Sequence, residues 1–477
     1  VAEAFYQGIP LLVVSADRPS EWIDQDDSQT IRQQGALSHF VKSSFQLPAT
    51  ITSDEDRWYT NRQVNEAINL SQHARRGPVH INMPFREPLY GFGHELSSME
   101  RVINSLDVVP ALTEEGVQCL REEFIHSKSV LIIGGFHSPD SMLQQHLGRL
   151  ANMPNTVVLT ESVTNLSAPS VISTIDRVIS TISPDKAEAY APDLLITFGG
   201  AIVSRMIKAF VREHAPRVHW HIDERVVPPD TYKSMTLHIP VDVRTFFDRF
   251  LSEEVDEDNL PFGYAHRWHQ REEEARQKHE CYLKQIPWCD LKAFSLLVPA
   301  IPAGSRLQLG NSTPIRYAQL FRYTQVDRTD ANRGTSGIDG CTSTAIGAAS
   351  TFDGMTTLIT GDNSFLYDSN ALWMKNIPSR LRIIVIQNGG GGIFRFLPGS
   401  SVLDEVEECF EVPHQVDIEK LAGVHRFTIF RAEDEESLRM VLPIFYQPAQ
   451  QPAILIVHTP GRINGKILKE YFQTLRI

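Results

Sequence analysis

Cysteine is scarce in this sequence, and long apolar runs are missing from it. The five cysteines stand without the spacing of a disulfide framework or a metal site, which is typical of a reducing compartment, and we expect a cytoplasmic protein. No apolar run approaches the roughly 20 residues of a membrane-spanning helix. An excess of basic residues is also lacking, since the formal net charge is -13, which argues against a nucleic-acid-binding surface.

What the sequence does contain is the pattern of a large α/β protein. Its 477 residues, 42% of them hydrophobic, have room for two to four domains with cores of their own. Short runs rich in apolar residues predict buried parallel strands that alternate with helical stretches, among them residues 11–14, 130–133, 156–160, 194–196, 218–223 and 381–386. We therefore expect three doubly wound parallel-sheet domains, with these divisions: first domain 1–105, central domain 106–252, charged helical linker 253–290, third domain 291–477.

The first domain is expected to be incomplete. The chain begins with Val1 instead of Met, inside a segment that predicts a helix ending at Gly8. The simplest interpretation is a fragment whose front part is absent.

Polar residues follow two predicted strands of the third domain. Asp362 comes after the run 357–360, and Asn388 comes after the run 381–386 and precedes four glycines. The carboxyl edge of a doubly wound sheet is where ligands bind. The Asp362 carboxylate, the Asn388 amide oxygen and the Gly390 carbonyl are donors that Mg²⁺ prefers beside a diphosphate. The alternative is a helix cap and a flexible loop, but both features bound one crossover, which favours a metal site.

Other candidate residues lie at predicted loops and helix starts. Ser364 opens a helix whose first N–H groups are expected to face a phosphate. Ser312 and Arg316 lie where Pro314 starts another helix, and Arg333 and Ile338 belong to a glycine-punctuated loop. The histidines, His414 among them, are assigned to packing or to the surface.

The metal motif resembles the signature of the thiamine-diphosphate-dependent enzyme family. Residues 361–363 and 387–388 match it, with Gln387 where the family has Asn. Residues 364–368 and 390–398 resemble the branch of the family that acts in menaquinone biosynthesis, and so does the loop with Arg18 and Gln29, in which Ser28 replaces Asn. In the central domain, Arg205 matches one of the branch's two basic positions and Met206 departs from the other.

The resemblance implies a cytoplasmic transferase that binds thiamine diphosphate and Mg²⁺ or Mn²⁺, as a homodimer or homotetramer. Its donor is 2-oxoglutarate and its acceptor is isochorismate, and each has two carboxylates, so several arginines are expected around the site. Sites implied for catalysis or substrate are Arg18, Ser28, Gln29, Arg205, Ser312, Arg316, Arg333, Ile338 and Leu397. Sites implied for the cofactor are Gly361, Asp362, Asn363, Ser364, Ile338, Asn388, Gly390, Ile393 and Phe394, with Asp362, Asn388 and Gly390 holding the metal.

In particular, Ser312 and Arg316 are implied to bind the distal carboxylate of the donor. Arg18, Gln29 and Arg333 are implied to contact the acceptor. Ile338 matches the apolar wedge that bends the cofactor.

Two alternatives remain open. Another thiamine-dependent enzyme, such as a 2-oxo-acid decarboxylase or an acetolactate synthase, would keep Asp362 and Asn388, and an acetolactate synthase would usually bind FAD in its central domain. The second alternative is a non-catalytic remnant that only binds the cofactor. The glycine pairs 134–135 and 199–200 hint at a nucleotide site, but no G-x-G-x-x-G follows a strand there, so a structural role is preferred.

The expected absence of the front part also bears on activity. In the family, a glutamate of the first domain upstream of residue 1 activates the cofactor. Glu3, Glu21 and Glu55 all come after the matching position, so we expect the chain as given to be inactive.

Overall fold

The computed structural model describes residues 1–73, 75–86, 101–106, 108–253, 260–395 and 405–476. These form two compact units, Val1–Pro110 and Ala111–Ile477. Every strand pair in the described part of the chain is parallel, in three separate sheets, which confirms the predicted α/β class. Within the same residues, none of the helices combines the length and the apolar character needed to cross a bilayer.

The first unit holds a three-stranded sheet in the order β1-β3-β2. Its elements are α1 (Ala2–Gln7), β1 (Leu11–Asp17), β2 (Ser44–Gln46), α2 (Asp54–Gln72) and β3 (Pro78–Pro84). The run 11–14 forms the predicted strand, but β1 lies at the edge of the sheet, and Leu12 and Val14, on one face of it, are 42% and 53% exposed, so this strand is not buried. The central strand β3 supplies the small core with Val79 and Ile81.

The second unit begins with a five-stranded sheet in the order β5-β4-β6-β7-β8, here called the central sheet. Its strands are β4 (Val130–Gly134), β5 (Thr156–Leu159), β6 (Leu194–Phe198), β7 (Val218–Ile222) and β8 (Leu237–Ile239). Its helices are α3 (Glu114–His126), α4 (Ser141–Ala151), α5 (Ile175–Ile179), α6 (Arg205–Glu213) and α7 (Val243–Phe250). The sequence pattern predicted the first four of these strands but missed β8, which has only three residues.

The glycine pairs of the central sheet pack against each other. A Cβ atom on Gly135 would come within 2.0 Å of the Gly200 carbonyl oxygen, and the Gly200 N–H donates to the Phe136 carbonyl over 2.8 Å. No side chain fits between backbones this close. The packing favours the structural interpretation of these glycines over a nucleotide site.

The rest of the second unit is built on a six-stranded sheet in the order β10-β9-β11-β12-β14-β13, here called the large sheet. Its strands are β9 (Arg306–Leu309), β10 (Arg328–Ala331), β11 (Thr356–Gly361), β12 (Leu381–Gln387), β13 (Thr428–Ala432) and β14 (Ala453–His458). Helices of this region are α9 (Asp290–Ala300), α10 (Thr313–Ala318), α11 (Cys341–Ser350), α12 (Asp362–Tyr367), α13 (Ile418–Val424), α14 (Glu435–Phe445) and α15 (Gly461–Arg476). The inner strands β11, β12 and β14 are buried almost throughout because helices cover both faces of the sheet.

One long helix, α8 (Tyr264–Gln285), connects the two sheets along the chain. Its charged face carries ion pairs such as Arg276 with Glu280, as expected for the linker. The other face buries Trp268 in the core of the central sheet, and His279 bonds to Tyr471 of α15 over 2.7 Å. The helix is therefore packed on both sides of the connection.

Candidate active site

The two polar residues predicted to hold a metal lie at neighbouring strand ends of the large sheet. Strands β11 and β12 pair in parallel, with Gly361 opposite Ile386, so Asp362 and Asn388 emerge at the same edge. The Asp362 side chain is only 1% exposed. Its Oδ2 accepts the Gly389 N–H and its Oδ1 accepts the Asn363 N–H, each over 2.8 Å. The two hydrogen bonds fix the carboxylate at this edge.

Open space lies beside the backbone at these strand ends. A Cβ atom on Gly361 or on Gly389 would have no neighbour within 4 Å, so both backbones border open space. Gly390 has φ 141°, which favours glycine, and its carbonyl accepts the Gly392 N–H over 2.9 Å while keeping a second lone pair. Together with a buried carboxylate and an amide, this backbone suits a hard divalent ion.

Carboxylate, thiol and imidazole groups alone do not form a metal site here. In the described ranges, no group of three or more His, Cys, Asp and Glu side chains could hold an ion. A metal at this edge would therefore need amide and backbone oxygens in addition to Asp362.

A segment distant in sequence also reaches this edge. The Glu411 carbonyl accepts the Gly391 N–H over 2.7 Å and the Asn363 side-chain amide over 3.0 Å. The Nε2 atom of His414 lies 3.6 Å from Asp362 Oδ2, and this contact raises the pKa of His414. The sequence spacing of His414 gave no signal of this contact.

Two predicted cofactor residues support the neighbouring loop. The buried Ser364 hydroxyl donates to the Ile338 carbonyl over 2.5 Å, which ties the Ile338 loop to the start of α12. Ile338 itself is half-buried.

The apolar residues predicted for the site lie in a short 3-10 helix, Gly392–Arg395. Ile393 and Phe394 are half-buried there, and the Phe394 ring centroid lies 5.5 Å from that of Phe410. Leu397, the remaining predicted residue of this wall, lies outside the described residues.

The predicted arginines of the second unit converge with a lysine that sequence reasoning missed. Burial lowers the pKa of Arg316, and the nearby charges of Arg205 and Arg333 lower it further. The charges of Arg316 and Arg333 also lower the pKa of Lys208, after burial as the main cause. These four residues are called the basic cluster below. Met206, the departure from the family pattern, packs against the core of the central sheet.

The local backbone around the basic cluster is specialised. Ser312 precedes α10 with φ 73°, a conformation that a residue with a side chain adopts only under constraint. Arg333 Nη1 donates to Asn311 Oδ1 over 2.9 Å. Ser312 and Asn311 both follow β9, which pairs with β11, so Arg316 on α10 and Asp362 on α12 follow neighbouring strands of the large sheet. Arg205 and Lys208 come from α6, which follows β6 of the central sheet.

Two buried acids hold the loop that carries Arg205. Glu161 accepts the N–H groups of Val203 and Ser204, each over 2.7 Å, and burial raises its pKa to about 7. The Ser204 hydroxyl donates to Asp176, whose charge also acts on Arg316. These acids position the basic cluster and partly balance it. They are single residues far apart in sequence, so no motif reveals them.

The predicted residues of the first unit share one loop after β1. Asp17 fixes its start by accepting the Arg18 N–H over 2.8 Å and the Asn82 side-chain amide over 2.7 Å. Arg18 Nη2 lies 3.8 Å from Asp27 Oδ2, and Gln29 is exposed with φ 64°. Ser28 is exposed beside it. The loop thus presents these residues at the carboxyl edge of its own sheet.

Three parallel sheets, one with oxygen donors at its carboxyl edge, place the chain in the α/β class and agree with the thiamine-diphosphate-binding fold. No family model matches the chain. A 2-succinyl-5-enolpyruvyl-6-hydroxy-3-cyclohexene-1-carboxylate synthase of Porphyromonas gingivalis is 44% identical over 478 residues, covering 99% of this chain and 82% of the relative.

Synthases of the same name from Flavobacterium psychrophilum and Flavobacterium johnsoniae are each 40% identical. The first covers 99% of this chain and the second covers all of it, and each match covers 84% of the relative. The chain belongs to the 2-succinyl-5-enolpyruvyl-6-hydroxy-3-cyclohexene-1-carboxylate synthase family.

Proposed function

We propose that the chain is a thiamine-diphosphate-dependent transferase of menaquinone biosynthesis. It decarboxylates 2-oxoglutarate and adds the succinyl unit to isochorismate, giving 2-succinyl-5-enolpyruvyl-6-hydroxy-3-cyclohexene-1-carboxylate. The names of the relatives support the reaction. The observation that carries the proposal is that Asp362, beside its open glycines, and Arg316 of the basic cluster follow neighbouring strands of the large sheet.

Asp362, Asn388 and the Gly390 carbonyl would hold Mg²⁺ or Mn²⁺ with the diphosphate. The open backbone at Gly361 and Gly389 leaves room for that group. When bound, the cofactor supplies the electron sink for decarboxylation, while the protein supplies position and electrostatics. Ser364 keeps the Ile338 loop in place, so that Ile338 can support the cofactor from its apolar side.

The substrates are recognised through their carboxylates. Arg316 and Ser312 bind the distal carboxylate of the donor, and a half-buried guanidinium does so strongly because little water competes. Arg333 and Arg205 contribute further positive charge from the basic cluster. Arg18, Ser28 and Gln29, which lie on the loop after β1, would contact the acceptor. Ile393 and Phe394 exclude water from the site.

The alternatives receive less support. The relatives' shared name does not favour an acetolactate synthase or a simple decarboxylase. The close packing of Gly135 against Gly200 leaves no space for a flavin diphosphate between those loops. We further propose a cytoplasmic homodimer or homotetramer, for which light scattering after gel filtration gives the mass.

The test is release of carbon dioxide from 2-oxoglutarate that depends on isochorismate, with the protein expressed from its complete gene. We expect turnover only with added thiamine diphosphate and a divalent cation, and no flavin absorbance. Carbon dioxide release that is independent of isochorismate would contradict the proposal. Failure of the protein to bind thiamine diphosphate would also contradict the proposal.

A further inference from the structure

Asp290 is a buried carboxylate that lies against Asn388 and has no role in the proposed reaction so far. It is the first residue of α9 and is 1% exposed. Its Oδ2 accepts a hydrogen bond from Asn388 Nδ2 over 2.8 Å, and its Oδ1 accepts one from the Thr459 hydroxyl over 2.5 Å. Its own N–H donates to Asn464 Oδ1 over 3.0 Å. Asp290 is therefore held in place from three directions.

This arrangement determines which atom of the Asn388 amide faces the open edge. An ionised carboxylate can only accept hydrogen bonds, so Asn388 must turn its NH₂ group toward Asp290. The amide oxygen then points away from Asp290. A divalent cation binds the amide oxygen and is repelled by the NH₂ group, so the orientation decides whether Asn388 can be a ligand.

The backbone of Asn388 is fixed as tightly as its side chain. The next residue, Gly389, donates its N–H to Asp362 over 2.8 Å. On the other side, a Cβ atom on Gly461 would lie 2.0 Å from the Asn388 carbonyl oxygen, so α15 begins in direct backbone contact. With the backbone fixed, rotation of the side-chain amide is the freedom that remains, and Asp290 removes it.

We propose that Asp290 is a positioning residue that presents the Asn388 amide oxygen to the metal of the diphosphate site. The proposal rests on the proposed function, since it presumes the metal site. Asp290 acts through Asn388 and contacts neither metal nor substrate. Partners of this kind change metal affinity by about 10- to 100-fold when they are removed.

The experiment measures binding of Mn²⁺ in the presence of inorganic diphosphate, from the electron paramagnetic resonance signal of free Mn²⁺. The variant Asp290→Leu removes the acceptor and keeps a similar volume. The matched control is Leu291→Ala, the neighbouring buried residue of α9, which loosens the same core but has no polar contact with Asn388. Thermal unfolding of each variant separates loss of stability from loss of binding.

The conservative variant Asp290→Asn should retain Mn²⁺ binding. Its amide oxygen can still accept from Asn388 while its NH₂ donates to the Thr459 hydroxyl, which accepts as well as donates. We expect Asp290→Leu to weaken Mn²⁺ binding about 10- to 100-fold. We expect Asp290→Asn and Leu291→Ala to stay within about threefold of the unmodified protein.

The outcomes distinguish this inference from the function on which it rests. If the unmodified protein binds Mn²⁺ with diphosphate and Asp290→Leu binds it equally well, the positioning role is overturned and the proposed function stands. If Leu291→Ala loses as much affinity as Asp290→Leu, the effect is general loosening, and the role is again overturned. If the unmodified protein does not bind Mn²⁺ with diphosphate, the metal site fails, and the proposed function with it.

Discussion

The central sheet and the large sheet both end in glycine-rich loops, but the glycines meet different surroundings. In the central sheet, Gly135 lies so close to Gly200 that an added Cβ would overlap backbone. In the large sheet, Gly361 and Gly389 border open space. The same residue type therefore serves close packing at one edge and access to the backbone at the other.

The difference shows what distinguishes a ligand edge from a structural one. Glycine alone is ambiguous, because both uses need the absence of a side chain. The large sheet adds a buried carboxylate at Asp362, an amide at Asn388 that bonds to Asp290, and Arg316 after the neighbouring strand β9. The central sheet has Asp223 after β7, but Arg225 and His221 pair with that carboxylate. Polar groups that lie beside open glycine backbone distinguish the carboxyl edge of the large sheet from that of the central sheet.

The largest expected effect comes from Asp362→Ala. This variant removes the charged ligand of the proposed metal site, so thiamine diphosphate affinity in excess Mg²⁺ should fall on the order of 100-fold, as for a lost charge-assisted contact. Titration calorimetry measures it. Asp223→Ala, which removes a carboxylate after strand β7 of the central sheet, is the control and should keep the affinity. A similar loss in both variants would remove the distinction between the edges.

The basic cluster gives the next effect. Arg316→Ala should raise the KM for 2-oxoglutarate roughly 10- to 150-fold, because a hydrogen bond between charged groups contributes about 1.5–3 kcal/mol. The preference for 2-oxoglutarate over pyruvate, which lacks the distal carboxylate, should become smaller. Arg217→Ala, which breaks a surface ion pair of the central sheet, is the control and should leave KM unchanged. Equal losses with both donors would show that Arg316 supports structure only.

In the central sheet, we expect a glycine substitution to lower the free energy of unfolding and to leave cofactor binding unchanged. Gly135→Ala forces a methyl group against the Gly200 backbone, and overpacking of this kind costs about 1–3 kcal/mol. Denaturant unfolding should show the loss, while the cofactor affinity of the folded protein should not change. Weaker cofactor binding without a loss of stability would mean that the glycine pairs form a ligand site after all.

The smallest effect concerns the helix between the sheets. Burial lowers the pKa of His279 to about 3, so below pH 6.5 the unfolded chain takes up a proton that the folded chain does not. The free energy of unfolding therefore falls as pH falls from 7 to 5.5, by about 1 kcal/mol from this residue. His279→Gln should lose that part of the decrease, as urea unfolding at both pH values would show.

His266→Gln, an exposed position of the same helix, is the control and should keep the decrease. An unchanged pH dependence in His279→Gln would show that His279 is not held neutral in the folded protein.

The sequence predicted the site residues at the strand ends better than the residues that pack against them and hold them in place. Asp362 and Asn388 could be predicted together because one crossover joins them, and adjacent parallel strands end at one edge. Asp290 could not, since it lies 98 residues from Asn388 and reaches it only through packing of α9. Lys208 and His414 were missed for the same reason. The run 11–14 was predicted as buried because its composition resembles a central strand, whereas β1 lies at a sheet edge.

The most direct test of the difference between the two edges is Gly361→Ala. Gly361 has φ −83°, which alanine adopts readily, and its Cβ would meet no protein atom within 4 Å. The free energy of unfolding without cofactor should therefore stay the same or rise slightly. Thiamine diphosphate affinity in Mg²⁺ should fall about tenfold, because the methyl group would crowd the bound diphosphate. Unchanged affinity, or a loss of stability like that of Gly135→Ala, would contradict the account.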